Sequence, residues 1–166
     1  ETGRLNVIAR MFFKDSKDSE NDKEVMPIVM ACMNMSKNKV GALIVIERSM
    51  SLLDIVRSGE TIDANINQLL IENIFFKNSP LHDGAMLIRN NRIAAAECIL
   101  PVSHSQNIPK ELGLRHRAAL GITQESDAVA VIVSEETGGI SVAQKGEFHL
   151  RLSPEQLEKY LVDAIS

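Results

Sequence analysis

The chain has no tryptophan, a single tyrosine and 4% aromatic residues overall. Base-stacking platforms for single-stranded nucleic acid are built from such rings, so that class of partner is disfavoured. Cationic excess is missing too. Eighteen Lys and Arg against 22 Asp and Glu give a formal charge of −4, and no broad basic field exists to draw in a polyanion. A small anionic ligand remains open, because a few well-placed arginines suffice. Cysteine is scarce: Cys32 and Cys98 are far apart and form no Cys-x-x-Cys arrangement. Each lies in an apolar run, which predicts buried core thiols and a reducing compartment. No run of about 18 apolar residues occurs, so no membrane span is predicted, and no signal peptide is visible. The chain opens at Glu1-Thr-Gly without an initiator methionine, as a fragment of a longer protein would. It lacks both GxxxxGK[ST] and GxGxxG, hence neither a P-loop nor a dinucleotide fingerprint is expected. GxSxG and HExxH are also absent.

What is present suits one globular domain: 166 residues, 45% hydrophobic and 24% charged, enough for a single substantial core. Residues 4–13 are short and amphipathic. Residues 14–24 are charged and read as a solvated linker, so the predicted organisation is an N-terminal stub and linker over 1–23 and a domain over 24–166. Val25, Ile28, Val29, Cys32, Met33 and Met35 recur near helical spacing, predicting a helix over 24–37. The run 40–47 (VGALIVIE) is continuously apolar and β-branched, as buried central strands are. Helices are expected over 51–58, ended by Gly59, and over 66–76, broken by Asn78-Ser-Pro80. Two apolar segments around Asn90-Asn91 predict a hairpin over 85–100. A polar loop follows, then a helix starting near Leu114, a buried strand over 128–134 and a second hairpin about Lys145-Gly146. The last helix should begin with Ser153 as N-cap and Pro154 in its first position. Hairpins interleaved with helices predict an α/β domain whose central sheet is mixed, mainly antiparallel and flanked by helices.

Three segments could carry chemistry. His82-Asp83-Gly84-Ala85 lies between Pro80 and a strand, at a sheet end. Asp83 can accept a proton or hold a metal, His82 can ligate the same ion, and Gly84 permits close backbone approach. An ordinary Asp-Gly turn would look the same. Arg115-His116-Arg117 opens a helix, where guanidinium forks and the helix terminus both suit phosphate; a solvated basic turn is the alternative. Ser134-Glu135-Glu136-Thr137-Gly138-Gly139 follows a buried strand and offers hydroxyls, amides and carboxylates for phosphate or Mg²⁺, although a charged hairpin turn is equally simple. Together they supply an activator for a hydroxyl, metal ligands and cationic clamps, the set phosphoryl transfer requires. His104 and His149 lack such company and are expected at the surface.

LHDGA, then GLRHR, then VSEETGG, in this order after a GALIVIE strand, resembles the diadenylate cyclase domain, and the membrane-anchored bacterial type more than the DNA-scanning octameric one. The resemblance runs from about Val25 to Leu161. It implies condensation of two ATP into cyclic di-AMP and two pyrophosphates with Mg²⁺ or Mn²⁺. On that resemblance Asp83 would activate the ribose 3′-hydroxyl. Gly84 and Ala85 would line the nucleotide pocket, and Leu100 would pack against adenine. Arg115, His116 and Arg117 would fix the phosphates. Ser134 would contact phosphate beside Glu135 and Thr137 in the nucleotide site, and His82 and Glu136 would be metal ligands. The family usually carries Thr before Arg-His-Arg; here it is Leu114, and a hydroxyl that could reach phosphate is missing.

The product's two-fold symmetry constrains the assembly. One domain with one ATP supplies half of what is needed, so two domains must meet face to face. The resemblance also implies a membrane contact only through a region preceding residue 1, with the domain on the cytoplasmic side. The alternatives are a non-catalytic adenine-nucleotide sensor of the same fold, and a metal-dependent phosphodiesterase or nuclease. The latter would want more carboxylates.

Overall fold

The computed structural model describes residues 19–103, 108–109 and 112–165. The expected stub (1–13), most of the linker and His104 lie outside the described residues. The helix predicted from residue 24 begins at Ser19 instead. This α1 (Ser19–Lys37) takes in the end of the predicted linker and carries Pro27 in its interior. Charge density alone marked residues 19–23 as linker, but Ser, Glu, Asn, Asp and Lys are also common in a first helical turn.

After α1 come β1 (Ala42–Ile46), α2 (Leu53–Ser58), β2 (Glu60–Asn65), α3 (Gln68–Phe75), β3 (Ala85–Arg89) and β4 (Arg92–Cys98). They are followed by α4 (Leu114–Glu125), β5 (Val129–Val133), β6 (Ile140–Gln144), β7 (Glu147–His149) and α5 (Pro154–Ile165). The seven strands form one sheet in the order β2-β4-β3-β1-β5-β6-β7. Only β1 and β3 run parallel; the other pairings are antiparallel. The expected mixed, mainly antiparallel sheet is therefore what forms.

Every residue of β1 and β5 is buried, which explains why these strands read as unbroken apolar runs: both faces are covered, so both sets of alternating side chains must be apolar. Ala42, Ile44 and Ile46 face a core with Val29, Cys32, Ile71, Ile74 and Leu157, under α1, α3 and α5. Leu43 and Val45 face a second core with Leu52, Ala119, Ile122 and Ile132, under α2 and α4. The result is three layers. Cys32 and Cys98 are buried as expected, and desolvation pushes their thiols up to about 12 and about 11.

The turn chemistry is local and legible. Asn90 and Asn91 adopt φ of 54° and 60°, and Lys145 and Gly146 adopt 53° and 73°, the left-handed pairs that close two-residue hairpins. Ser153 Oγ accepts from Gln156 N at 3.2 Å while Gln156 Oε1 accepts from Ser153 N at 2.8 Å, a reciprocal cap for α5. One strand, β2 (ETIDAN), gave no signal. It is a sheet-edge strand with a largely exposed pattern, so no apolar alternation was required of it.

Candidate functional site

Strand register decides whether the three chemical segments meet. Parallel pairing sets Ile44 beside Met86, which puts Ala85 next to Leu43. Antiparallel pairing sets Leu43 beside Ile132 and Ala42 beside Val133. The starts of β1 and β3 and the end of β5 therefore lie at one end of the sheet. The end of β4 joins them, since Cys98 pairs with Ala85. The segment 82–84 and the loop 134–139 thus stand two strand spacings apart, roughly 10 Å. Arg115 brings the third segment: its guanidinium packs on Gly41, the residue before β1.

The His82 to Ala85 segment enters β3 through Gly84, whose φ is +78°. A side chain at Gly84 would also run into Cys98 O at 2.6 Å. The opposing strand bulges there, with Glu97 at φ 58°, so two strained backbones interlock and hold Asp83 at the rim. Asp83 is exposed and makes no hydrogen bond among the described residues. His82 Nδ1 lies 2.8 Å from the Ser79 carbonyl. A carbonyl only accepts, so Nδ1 donates here, and Nε2 is the ring nitrogen left to face a metal. Ala85 is 1% exposed; its methyl belongs to the core, and it can offer a ligand only its backbone. Leu100 is 8% exposed and sits in the core under α2 and α4.

Helix α4 opens after Gly113 and presents Arg115, His116 and Arg117 in succession, which 3.6-residue periodicity cannot point the same way. Arg115 and Arg117 are half-buried flanks; His116 is turned inward and 5% exposed. Its ring meets Phe148 edge-on at 6.0 Å between centroids. Burial first, and the Arg115 charge second, hold its pKa below the usual imidazole value. His116, expected beside the two arginines at phosphate, lies beneath them as a buried side chain. Arg115 Nη1 reaches Glu135 Oε1 at 3.6 Å, while its Nε is buried without a hydrogen-bond partner. Leu114 is 76% exposed at the first helical position, so no core packing replaces the missing hydroxyl.

The 134–139 loop is a compact turn. Ser134 Oγ accepts from the amides of Glu136 and Thr137, both at 3.2 Å, which leaves its own proton to donate outward. Thr137 Oγ1 accepts from Gly139 N at 3.0 Å. The loop is tied down by Ser36 Oγ, which donates to Gly138 O, and by Gly138 at φ +78° packed against the Ser36 carbonyl. Glu135, Glu136 and Thr137 are exposed. Sequence reasoning missed Ser36 and Gly41, since neither carries a local signal for contacts so distant along the chain. His149 was expected at the surface but is half-buried, stacked on Tyr160 at 5.1 Å. No group of three or more His, Cys, Asp or Glu among the described residues could hold a metal ion. A divalent cation here would depend on His82 or Glu136 together with oxygens from a ligand.

The model of a bacterial family described as DisA bacterial checkpoint controller nucleotide-binding matches residues 29–148. The chain belongs to that family. It is 46% identical over 144 residues to the cyclic di-AMP synthase CdaA of Bacillus subtilis, an alignment covering 87% of this chain and 53% of that protein. It superposes on the crystal structure of a double mutant of DacA from Staphylococcus aureus with a TM-score of 0.86 and 47% identity, covering 90% of this chain and 99% of that one. A Bacillus cereus protein described as a hypothetical membrane spanning protein matches at 44% identity and TM-score 0.72, covering 75% of this chain and 61% of that one. The chain spans a little over half the length of the curated relatives it matches first. Among the described residues no helix is long and apolar enough to cross a membrane.

Proposed function

We propose that this domain is a diadenylate cyclase, which joins two ATP into cyclic di-AMP and releases two pyrophosphates. The observation that carries the reading is the convergence of Asp83, Arg115 and Ser134 at one end of the sheet. The relatives named as cyclic di-AMP synthase and diadenylate cyclase support it.

Asp83 stands unpaired at the rim and takes the proton of a ribose 3′-hydroxyl. The freed oxygen attacks the α-phosphorus of the ATP held by a facing domain; the bond to the pyrophosphate oxygen breaks, and pyrophosphate leaves. The second half-reaction repeats this with the roles exchanged and closes the ring. Arg115 and Arg117 hold the phosphates by charge-assisted bonds, and the free hydroxyl proton of Ser134 donates to the same group. Gly84 and the Ala85 backbone line the nucleotide site, with Leu100 against the base. His82, through Nε2, and Glu136 suit Mg²⁺ or Mn²⁺ shared with the triphosphate, and the ion neutralises phosphate charge when bound. Each ATP has one attacking and one attacked end, so two domains meet across a two-fold axis. In the full-length protein, a membrane contact lies outside this chain, with the domain on the cytoplasmic side.

Dependence of turnover on protein concentration tests the assembly. Initial rates with saturating ATP should rise with the square of protein concentration below the dimer dissociation constant, while ATP binding per chain stays constant. A strictly linear rate at every dilution, including one at which the protein is shown to be monomeric, would contradict it. The sensor alternative predicts binding and no product at all, and an intact, unpaired Asp83 speaks against it.

A further inference from the structure

Arg115 is an unusual arginine for one so well placed. Its Nε is buried and unpartnered, and its ion pair among the described residues is with Glu135, at 3.6 Å. Little on the protein side fixes the guanidinium by hydrogen bonding, yet a phosphate clamp has to be in place before its ligand arrives. Shape holds it instead. The guanidinium lies over Gly41, just before β1. A methyl added to that glycine would overlap Nη1 and come within 2.7 Å of Cζ and 3.2 Å of Nη2. All three of the nearest atoms to such a methyl belong to Arg115.

We infer that Gly41 is a positioning residue: its missing side chain is the seat that sets the Arg115 guanidinium in place for phosphate. The glycine is not there for backbone freedom. Its φ lies outside the left-handed region, so alanine fits the local conformation. Nor does it permit a close pass between two backbones, as Gly121 does against the Pro101 carbonyl. The clash of an added methyl would be with the far end of a flexible side chain, which swings away at small cost to folding. What changes is the place where two or more N–H donors point. Gly41 is buried at the foot of the central strand, so the seat is as rigid as the sheet.

The inference rests on the reading of Arg115 as a phosphate clamp. The test is a double-mutant cycle on the whole protein with ATP and Mn²⁺, measuring ATP affinity, cyclic di-AMP formation and Tm for wild type, Gly41→Ala, Arg115→Ala and the double variant. Gly41→Ala should keep the wild-type Tm. It should lose roughly ten- to a hundredfold in kcat/KM, the order that a misplacement of about 1 Å costs. In the Arg115→Ala background the same substitution should change nothing further. Wild-type kinetics for Gly41→Ala beside an impaired Arg115→Ala would overturn the seat and leave the phosphate reading standing. An equal loss in both backgrounds would overturn it, because the glycine would then act on something else. An unfolded Gly41→Ala would overturn it as well. A harmless Arg115→Ala would remove the phosphate reading itself, and the seat with it.

Discussion

The two ends of the sheet treat charge in opposite ways. At the end away from the motifs, a groove is lined by Ile46, Glu47, Arg48, Ser49, Asn90 and Asn91, and its ionic groups are spent on the protein. Glu47 accepts from Leu52 N at 2.8 Å and Arg89 Nε at 2.9 Å. Asp127 accepts from the amides of Ser49 and Met50 at 2.9 and 3.0 Å, and those bonds hold its carboxyl below the usual range. Arg48 donates to the Asp163 carbonyl at 3.3 Å. At the motif end Asp83 and Glu136 have no side-chain partner among the described residues, Arg115 keeps an orphan Nε, and Ser134 has a proton to give. Paired charge stabilises a fold. Charge held in place and left without a protein partner is available to whatever arrives. Both ends have concave or polar surface; only one has donors and acceptors in waiting.

That contrast can be broken by exchanging its terms. The largest effect is expected at Asp83→Asn, which should keep ATP binding and lose about 10²- to 10⁴-fold in product formation, the range of a missing general base. Single-turnover rates and calorimetric ATP affinities, measured on the same preparation, check it; turnover near wild type would take Asp83 out of the mechanism. Next comes Arg117→Ala. Loss of a charge-assisted bond worth about 1.5–3 kcal/mol should weaken ATP binding or kcat/KM by ten- to a hundredfold with an unchanged Tm. Unaltered kinetics would make this arginine a surface residue.

At the opposite end the ranking of readouts should invert. Glu47→Ala should cost about 1–3 kcal/mol in stability, because a part-buried Arg89 and the Leu52 amide lose their acceptor. The kcat per folded molecule should stay near wild type. Denaturant titration beside the product assay separates the two, and a catalytic loss without destabilisation would blur the division between the ends. The smallest effect is a pH dependence. His116 is held neutral by burial and by Arg115, so its folded-state pKa lies below its unfolded one. The unfolded chain then binds more protons, and stability is full above the unfolded pKa, about 6.5. It falls as pH drops through the folded value. His116→Asn should flatten that part of the Tm-against-pH curve, and an unchanged slope would place the proton uptake elsewhere.

Much of this division was legible in the sequence, for physical reasons that differ by residue. β1 and β5 announced themselves because a strand covered on both faces must be apolar throughout. The Asn90-Asn91 and Lys145-Gly146 turns and the Ser153 cap are local chemistry, readable within four residues. β2 stayed hidden because an edge strand with no fully buried residue needs no apolar pattern. The inward turn of His116 is not legible from the three-residue motif itself; helical geometry sends its middle member to the core. Resemblance named Asp83, Arg115 and Ser134. It could not supply the contacts that steady them, Gly41 beneath Arg115 and Ser36 beneath Gly138, which tertiary packing alone brings together.

The most direct test of the central claim is product identity. Purified protein is incubated with ATP and Mn²⁺, and in parallel with Mg²⁺, at a concentration where it is dimeric, and products are separated by chromatography with mass detection. Cyclic di-AMP and pyrophosphate in a one-to-two ratio is the predicted result. Hydrolysis to ADP or AMP, or ATP bound and recovered intact from a demonstrated dimer, would contradict it.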